Sequence, residues 1–416
     1  MSKSAHDYNL TNPEIMENPY EFYAAIHRDN ARLVEVPGVG YWVGRMDDIK
    51  ELAKNTQVYS NSYFDEGGPV PTGVSGEPLE DDVKEIFNKG PEVVNALWTA
   101  DPPIHTTHRK LVNKAFTASW VKSMEPVIEE IADELISNFI NNGKADFMQQ
   151  YAVYLPMIVI AEALGMDRKD AELFKVWSDD ILTGNLDVLD HEGRLRVAQS
   201  FIDANNHFKG ILEERRINPK SDLISALANA SVNGRSLMNK EALPIIDTLM
   251  LAGNETTTNL IGNALRILVE DEIIREALEA DKSMITPFLD EVMRFDGPVQ
   301  CLYRIVTKDT EFAGQKILKG TKIMLGWGSA GHDPDHFDNP QDFVLGRSNA
   351  YKHIGFGFGA HLCVGLGLAR TEARIAVNVF LNRLKNVRFS DDIDLTHVPT
   401  FATRGYKTLN FDFNSR

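Results

Sequence analysis

The sequence contains little cysteine, no long apolar run and no excess of positive charge. Its 416 residues include two cysteines, Cys301 and Cys363, which are too few for a disulfide framework. No stretch of 18 or more apolar residues occurs, so we expect no transmembrane helix and no association with a membrane. The N-terminal residues lack the apolar segment of a secretory signal. These absences predict a cytoplasmic protein with reduced thiols.

The net charge of −17 argues against a general affinity for nucleic acid, because an acidic chain repels phosphate backbones. A hydrophobic fraction of 43% and a charged fraction of 25% are typical of a globular protein with a sizeable core. The sequence contains no internal repeat and no low-complexity tract. We therefore predict one integrated domain over residues 1–416.

Helical periodicity dominates the middle of the chain. Apolar residues recur at helical spacing from Ser119 to Asn142, and the stretch Asn239 to Asp271 predicts a very long helix through the interior. The sequence predicts a hairpin between Glu35 and Gly44, a loop between Asp65 and Ser75, and short strands after Asp296. These elements predict a mainly α fold with small β-sheets.

The most informative segment is a glycine-rich loop around Cys363. It reads Phe356-Gly357-Phe358-Gly359-Ala360-His361-Leu362-Cys363-Val364-Gly365 and precedes a predicted helix, Leu366 to Leu384. Glycines such as Gly357 and Gly365 let the backbone approach the sulfur, and the N-terminal end of the helix favours a thiolate. A haem iron accepts such a thiolate as its axial ligand. A buried structural cysteine is the alternative, whereas zinc lacks partner ligands nearby.

This loop resembles the haem-binding signature of the cytochromes P450. Phe356, Gly359, Cys363 and Gly365 occupy every fixed position of the pattern F-x-x-G-x-x-x-C-x-G. The resemblance implies haem b (iron protoporphyrin IX) as the cofactor, with Cys363 as the fifth ligand of its iron and Phe356 beside the sulfur. His361 stands where the family has Arg or His, which donates to a haem propionate.

A second unusual segment lies inside the long helix and reads Ala252-Gly253-Asn254-Glu255-Thr256-Thr257. A glycine costs roughly 1 kcal/mol relative to alanine inside a helix, and a buried glutamate is costly unless it is paired or protonated. The segment resembles the oxygen-activation motif of the same family, A/G-G-x-D/E-T. The resemblance implies that Ala252 and Gly253 leave room for O2. Glu255 would help carry the protons that cleavage of the O–O bond needs, and Thr256 would assist that cleavage.

Further motifs follow in the order in which the family has them. Glu291 and Arg294 form an E-x-x-R pair, which the resemblance joins to Arg347 in order to hold the cysteine loop. The segment Asp101-Pro102-Pro103-Ile104-His105-Thr106-Thr107-His108-Arg109 resembles a D-P-P-x-H-x-x-x-R helix start. The cationic residues that the resemblance assigns to the haem propionates are His105, Arg109, Arg304 and His361.

Two positions have a structural interpretation. Gly331-His332-Asp333-Pro334 stands where relatives often have Asn-Arg-Asp-Pro, and we expect a turn at the surface there. Cys301 is expected to be a small packing residue rather than a ligand.

The resemblance implies a haem-thiolate monooxygenase that inserts one oxygen atom of O2 into a hydrophobic small molecule. About fifty residues follow Cys363 and include no reductase domain, so we expect electrons from a separate ferredoxin-type protein and its reductase. Basic residues that we expect to form the docking patch are Lys110, Lys114, Lys352, Arg370 and Arg374. A peroxygenase, a nitric oxide reductase and a non-catalytic haem binder are alternatives, although the acid–Thr pair disfavours the first and is superfluous in the last.

The substrate class stays open. The pocket is expected to be formed by mainly apolar segments: residues 60–98, 181–189, 249–252, 299–302 and 401–403. Two segments, Gly90-Pro91-Glu92-Val93-Val94 and Ala145-Asp146-Phe147-Met148, resemble bacterial terpene hydroxylases such as the terpineol enzyme, which favours a terpenoid. Steroids, fatty acids and aromatic compounds are the alternatives. No charged residue stands out in these segments as an anchor for a substrate carboxylate, although Arg404 lies close to one of them.

Overall fold

The computed structural model describes residues 3–62, 79–92, 94–166, 171–182, 189–232 and 234–416. Contacts between Cα atoms divide the chain into two compact units. The first unit comprises Met1–Asn61, Val121–Pro156 and Glu255–Arg416, and the second comprises Ser62–Trp120 and Met157–Asn254. The single domain over residues 1–416 stays a prediction. The predicted loop at Asp65–Ser75 lies outside the described residues, as do parts of the pocket segments 60–98 and 181–189.

The α-helices in these described ranges are α1 Pro13–Glu17, α2 Tyr20–Arg28, α3 Met46–Lys54, α4 Asp81–Asn88, α5 Ile104–Ala115, α6 Ala118–Ser137, α7 Tyr154–Ala163, α8 Ala171–Leu182, α9 His191–Ile217, α10 Leu223–Ala228, α11 Asn239–Glu270, α12 Glu272–Ala280, α13 Ile285–Phe295, α14 Trp327–Ala330 and α15 Leu366–Arg383. The long helix predicted from Asn239 is confirmed as α11, and the helix predicted after the cysteine loop is confirmed as α15. The helix predicted from Ser119 to Asn142 ends earlier, because the chain tightens into a 3-10 turn before Gly143, whose φ is +69°.

The strands are β1 Val34–Val36, β2 Gly40–Val43, β3 Tyr59–Ser60, β4 Lys144–Asp146, β5 Ser231–Val232, β6 Arg235–Ser236, β7 Leu302–Val306, β8 Thr310–Phe312, β9 Gln315–Ile317, β10 Lys322–Leu325, β11 Leu384–Phe389 and β12 Asn410–Ser415. The first unit contains a five-stranded sheet in the order β1-β2-β10-β7-β3 and a three-stranded sheet in the order β11-β12-β4. The predicted hairpin near Tyr41 is confirmed as β1 and β2, which pair antiparallel. A mainly α fold with small sheets is therefore confirmed.

The five-stranded sheet in the first unit has an apolar core on its inner side. Val43, Ile323 and Leu325 are fully buried there, together with Trp327 and Phe337. The apolar side chains of short strands such as these can form a stable sheet only by packing on helices, here α3 among others. The sheet thus gives β7 a fixed position, with its central residue opposite Ile323.

The expected surface turn at Gly331–Pro334 is wrong. His332 and Asp333 are 1% and 2% exposed. Asp333 accepts a hydrogen bond from the backbone N–H of Met46 at the start of α3 (2.9 Å), and His332 Nε2 lies 2.9 Å from the carbonyl oxygen of Phe295. Burial lowers the pKa of His332 to about 4. This turn is a buried connection between α3 and α13.

In the second unit, α9 is the central helix and packs against α4, α8 and α10. Its apolar face is formed by residues such as Val197, Phe201 and Phe208. A buried polar pair joins α9 to α11, since Asn205 Nδ2 lies 3.3 Å from Asp247 Oδ2. Burial raises the pKa of Asp247 to about 7.

Candidate active site

The cysteine loop folds back on itself in front of α15. The N–H of Cys363 donates to the carbonyl oxygen of Phe356 (2.8 Å), and the N–H of Ala369 donates to Gly365 as the first turn of α15 begins. Gly357 has a φ of +81°, which residues other than glycine rarely adopt. The loop thus holds the half-buried Cys363 thiol two residues before the helix N-cap, where the helix dipole favours a thiolate.

Phe356, Gly357, His361 and Gly365 therefore lie in one loop with Cys363. An added Cβ at Gly365 would lie 3.9 Å from Cys363 Sγ, so the backbone runs close to the sulfur. The ring of Phe356 packs near two side chains. Its centroid lies 5.7 Å from that of the His353 ring and 5.6 Å from the guanidinium carbon of Arg370. Arg370 also forms an ion pair with Asp290 of α13.

The predicted E-x-x-R element is confirmed as a buried network that joins α13 to the chain before the cysteine loop. Arg294 donates to both carboxylate oxygens of Glu291 (2.7 and 2.8 Å), and neither side chain is exposed to solvent. Arg347 donates to the same carboxylate from Nε (3.0 Å). Arg294 also donates to the carbonyl oxygens of Gly331, Pro340 and Asp342 (2.8 Å each). The network fixes the chain that leads into the cysteine loop.

Arg304 lies in the middle of β7 and is 2% exposed. Its Nη1 donates to the carbonyl oxygen of Tyr303 (2.7 Å). Its Nε has no hydrogen-bond partner within the described part of the chain, and no carboxylate of that part lies within ion-pair distance. Because a buried cation without a counter-charge is costly, the site favours an anionic ligand.

His105 and Arg109 lie one turn apart on α5, in the second unit. His105 is 3% exposed, and burial followed by the nearby Arg109 charge lowers its pKa to about 4. Arg109 is half-buried and donates to Asn113 (3.0 Å). The sequence assigned His108 no role, yet the side chain is buried, with 2% of it exposed. Its Nε2 lies 3.9 Å from the carboxylate of Glu241. It follows His105 by three residues, so the helical spacing was the only signal for it.

The segment that resembles the oxygen-activation motif lies between two buried stretches of α11. Residues 241–250 and 257–265 are buried, whereas Gly253, Glu255 and Thr256 are half-buried and Ala252 is exposed. An added Cβ at Gly253 would lie 3.8 Å from the side chain of Ile160, an ordinary contact, so that neighbour does not require glycine. The helix thus offers an open face at these motif residues.

Glu255 accepts a hydrogen bond from the hydroxyl of Thr403 (2.9 Å). Sequence reasoning placed Thr403 only in a pocket wall, and no signal in the sequence pairs it with Glu255. The two threonines expected to be packing neighbours of the motif are buried: Thr257 is 2% exposed, and Thr258 donates to the carbonyl oxygen of Ala152 (3.0 Å).

Comparison with known proteins identifies the family. The sequence model of the cytochromes P450 matches residues 190–397. Cytochrome P450 109 of Bacillus spizizenii is 34% identical over 397 residues, which are 94% of this chain and 91% of that protein. The chain belongs to the cytochrome P450 family. It is therefore a monooxygenase, an oxidoreductase of a haem-iron family.

Two further relatives have a steroid in their names. The steroid C26-monooxygenase of Mycolicibacterium smegmatis is 33% identical over 309 residues, 74% of this chain and 77% of that protein. The structure of CYP109E1 from Bacillus megaterium in complex with corticosterone has a TM-score of 0.82 and 30% identity, and the match covers 96% of this chain and all of that one (100%).

The residues of this P450 fit a haem. Arg304 presents a buried cation that lacks an anion among the described residues, as a propionate ligand requires. Cys363 supplies a half-buried thiol at a helix N-terminus. Within the described ranges no cluster of three or more His, Cys, Asp and Glu side chains could hold a metal ion.

Cys301 is a packing residue, as expected. It is fully buried in the cluster with Tyr23 and Trp42, and burial raises the pKa of its thiol. Cys301 and Cys363 do not form a disulfide bond. None of the helices in the described ranges combines the length and the apolar character needed to cross a bilayer.

Two of the predicted pocket segments are in contact in the first unit. Val299 pairs with Thr403 in an antiparallel bridge, and the N–H of Gln300 donates to the carbonyl oxygen of Ala402 (2.8 Å). Arg404 is not available as a carboxylate anchor, because it is 7% exposed and its Nε donates to Asp296 (2.8 Å).

Proposed function

We propose that this P450 is a haem-thiolate monooxygenase in which Cys363 ligates the iron. The observation that supports this proposal best is the folded cysteine loop, which holds a half-buried thiol in front of α15. The proposed reaction is RH + O2 + 2e⁻ + 2H⁺ → ROH + H2O, in which a hydroxyl group replaces a hydrogen of the substrate.

Four residues would hold haem b by its propionates. Arg304 would contribute a buried guanidinium and His361 a donor from the cysteine loop, while His105 and Arg109 would contribute donors from α5. Bound haem supplies the reductive activation of O2, and a thiolate ligand favours cleavage of the O–O bond.

Glu255 and Thr256 would deliver protons to the reacting oxygen. Both side chains lie on the open stretch of α11. A carboxyl group can release and recover a proton, and a neighbouring hydroxyl can pass it on, which is general acid catalysis. Ala252 and Gly253 would keep that face free of bulky side chains, which leaves space for O2.

The substrate is proposed to be a hydrophobic molecule without a carboxylate, with steroids as the first class to test. Two relatives act on or bind steroids by their names, the steroid C26-monooxygenase and CYP109E1 with corticosterone. The engagement of Arg404 with Asp296 supports a substrate without an acid group. Terpenoids, fatty acids and aromatic compounds are the comparison classes.

Electrons are proposed to come from a ferredoxin-type protein. Of the expected docking residues, Lys110, Lys114 and Lys352 are exposed. Arg370 and Arg374 have internal partners, since Arg370 pairs with Asp290 and Arg374 lies 3.0 Å from Glu125. The exposed lysines are therefore the better candidates for docking.

The proton-delivery role is tested with Thr256→Ala, and Thr257→Ser serves as a matched control on the next, buried residue. With a surrogate ferredoxin, its reductase and NADPH, Thr256→Ala is expected to release more of the consumed oxygen as hydrogen peroxide. An unchanged peroxide fraction would favour a non-catalytic haem binder. Turnover of nitric oxide with NADH and no ferredoxin would instead favour a nitric oxide reductase.

The substrate class is tested by titrating the ferric protein with corticosterone, a monoterpene alcohol, a long-chain fatty acid and an aromatic hydrocarbon. A substrate that displaces the water on the iron shifts the haem spectrum. The proposal expects the steroid to cause this shift at the lowest concentration. A shift with the fatty acid alone would overturn the steroid proposal.

A further inference from the structure

The C-terminal tail contacts α11 directly at the oxygen-activation motif. The Thr403 hydroxyl donates to Glu255 Oε1 (2.9 Å), across 148 positions of sequence. A hydrogen bond from a hydroxyl to a carboxylate is charge-assisted and therefore stronger than one between neutral groups. It fixes one rotamer of a side chain that is otherwise half-buried and has three rotatable bonds.

The backbone at Thr403 is held on both sides. Thr403 pairs with Val299, and the N–H of Arg404 donates to the carbonyl oxygen of Pro298 (2.8 Å). The Arg404 guanidinium then donates to Asp296 (2.8 Å) and to the carbonyl oxygen of Glu17 (2.7 Å). The Thr403 hydroxyl is therefore presented from a fixed backbone and not from a free loop.

The tail also lies against α11 without space between them. An added Cβ at Gly405 would lie 1.9 Å from Asn259 Oδ1, one turn beyond Glu255 on the same helix. A further turn along, Asn263 Nδ2 donates to the carbonyl oxygen of Asp296 (2.7 Å). These contacts set the distance between Thr403 and Glu255 through rigid neighbours.

Thr403 also lines a small cavity. Its volume of about 20 Å³ is enough for one water molecule. The residues that line it include Tyr23, Gln300, Thr403 and Arg404, together with Leu10 and Ile15 of the N-terminal segment. The Thr403 hydroxyl donates its one hydrogen bond to Glu255, and its oxygen still has lone pairs that can accept another hydrogen bond.

We propose that Thr403 is a positioning residue for Glu255, which it holds in the orientation that delivers protons during oxygen activation. This inference rests on the proposed role of Glu255 in proton delivery. Thr403 itself acts only through the carboxylate.

The test is a double-mutant cycle with Thr403→Val, Glu255→Gln and the combined variant, and Thr403→Ser restores the hydroxyl. The holoprotein is supplied with surrogate ferredoxin, reductase and NADPH, without added substrate. The readout is the fraction of consumed oxygen that is released as hydrogen peroxide, in H2O and in D2O. The spectrum of the reduced CO complex verifies that each variant binds haem as the wild type does.

Thr403→Val is expected to raise the peroxide fraction roughly threefold and to increase its solvent isotope effect, because protons reach the site more slowly. Thr403→Ser is expected to restore the wild-type values. In the Glu255→Gln background Thr403→Val is expected to add nothing, since there is then no carboxylate to orient.

The two possible failures are distinct. If Glu255→Gln changes the peroxide fraction and Thr403→Val does not, Thr403 has no positioning role while the proton-delivery proposal stands. If Glu255→Gln has no effect, proton delivery by Glu255 is wrong and the positioning role falls with it. Equal effects of Thr403→Val in both backgrounds would show that Thr403 acts on the fold and not through Glu255. If Thr403→Val does not bind haem, Thr403→Ala takes its place in the same cycle.

Discussion

Arg347 reaches back 56 residues along the chain to the carboxylate of Glu291, with its Nε 3.0 Å from Oε1 and 3.2 Å from Oε2. Glu291 therefore carries two arginines, because Arg294 binds the same carboxylate from within α13. The three side chains lie at the base of the segment that leads to Cys363. This network is the structural support of the candidate site.

Replacing Glu291 by Gln is expected to destabilise the fold by about 3–5 kcal/mol, since it leaves the fully buried Arg294 without a counter-charge. The measurement is urea-induced unfolding of the purified protein. Arg388→Gln is the control, because its ion pair with Asp412 is exposed and is worth at most about 1 kcal/mol. Equal stabilities of the two variants would contradict the supporting role of the network.

Replacing Arg304 by Gln is expected to weaken haem binding and to leave the haem-free protein as stable as the wild type or more so. The guanidinium is buried without a described anionic partner, so its charge is a cost until a propionate binds. A hydrogen bond to a charged group is worth about 1.5–3 kcal/mol. Its loss is therefore expected to make haem release roughly ten- to a hundredfold faster. Haem transfer to excess apomyoglobin measures this rate. An unchanged release rate would remove Arg304 from the propionate ligands.

Asp247 predicts a specific dependence of stability on pH. Burial raises the pKa of Asp247 to about 7, above the value of an exposed aspartate in the unfolded chain. Between pH of about 4 and 7 the folded state therefore holds one proton more than the unfolded state. As the pH rises through this range, the free energy of unfolding therefore falls by up to about 1.4 kcal/mol per pH unit, and it stops falling above pH 7.

Asp247→Asn removes this titration and keeps a hydrogen-bond acceptor for Asn205. Its stability relative to the wild type should rise from pH 4 to 7 and stay level above. Urea unfolding at a series of pH values measures the difference. Asp203→Asn, an exposed residue of α9, is the charge-matched control. A difference that is constant with pH would show that Asp247 does not titrate in this range.

Local patterns in the sequence were sufficient for the elements near the site. The apolar spacing predicted α11, and the glycines with Cys363 predicted the loop before α15. The E-x-x-R spacing and the resemblance predicted the pairing of Glu291 with Arg347. In each case the determining residues are close in sequence, or the family motif supplies the distant partner.

Contacts between distant segments were beyond the sequence. No periodicity brings Thr403 to Glu255, because the tail position depends on the space that Gly405 leaves against Asn259. The polar turn at His332 was predicted at the surface, since polar residues are usually exposed, and its buried partners lie in α3 and at Phe295. The sequence placed Arg404 close to a pocket segment but gave no sign of its partner Asp296, 108 positions away.

The ligation of iron by Cys363 is tested most directly by the absorption spectrum of the reduced protein with carbon monoxide. The account predicts the strongly red-shifted Soret band of a thiolate-ligated haem in the wild type. It predicts loss of that band in Cys363→Ser and its retention in Cys301→Ser, because Cys301 is a packing residue. A wild-type band at the position of an imidazole-ligated haem, or a thiolate band that survives in Cys363→Ser, would contradict it.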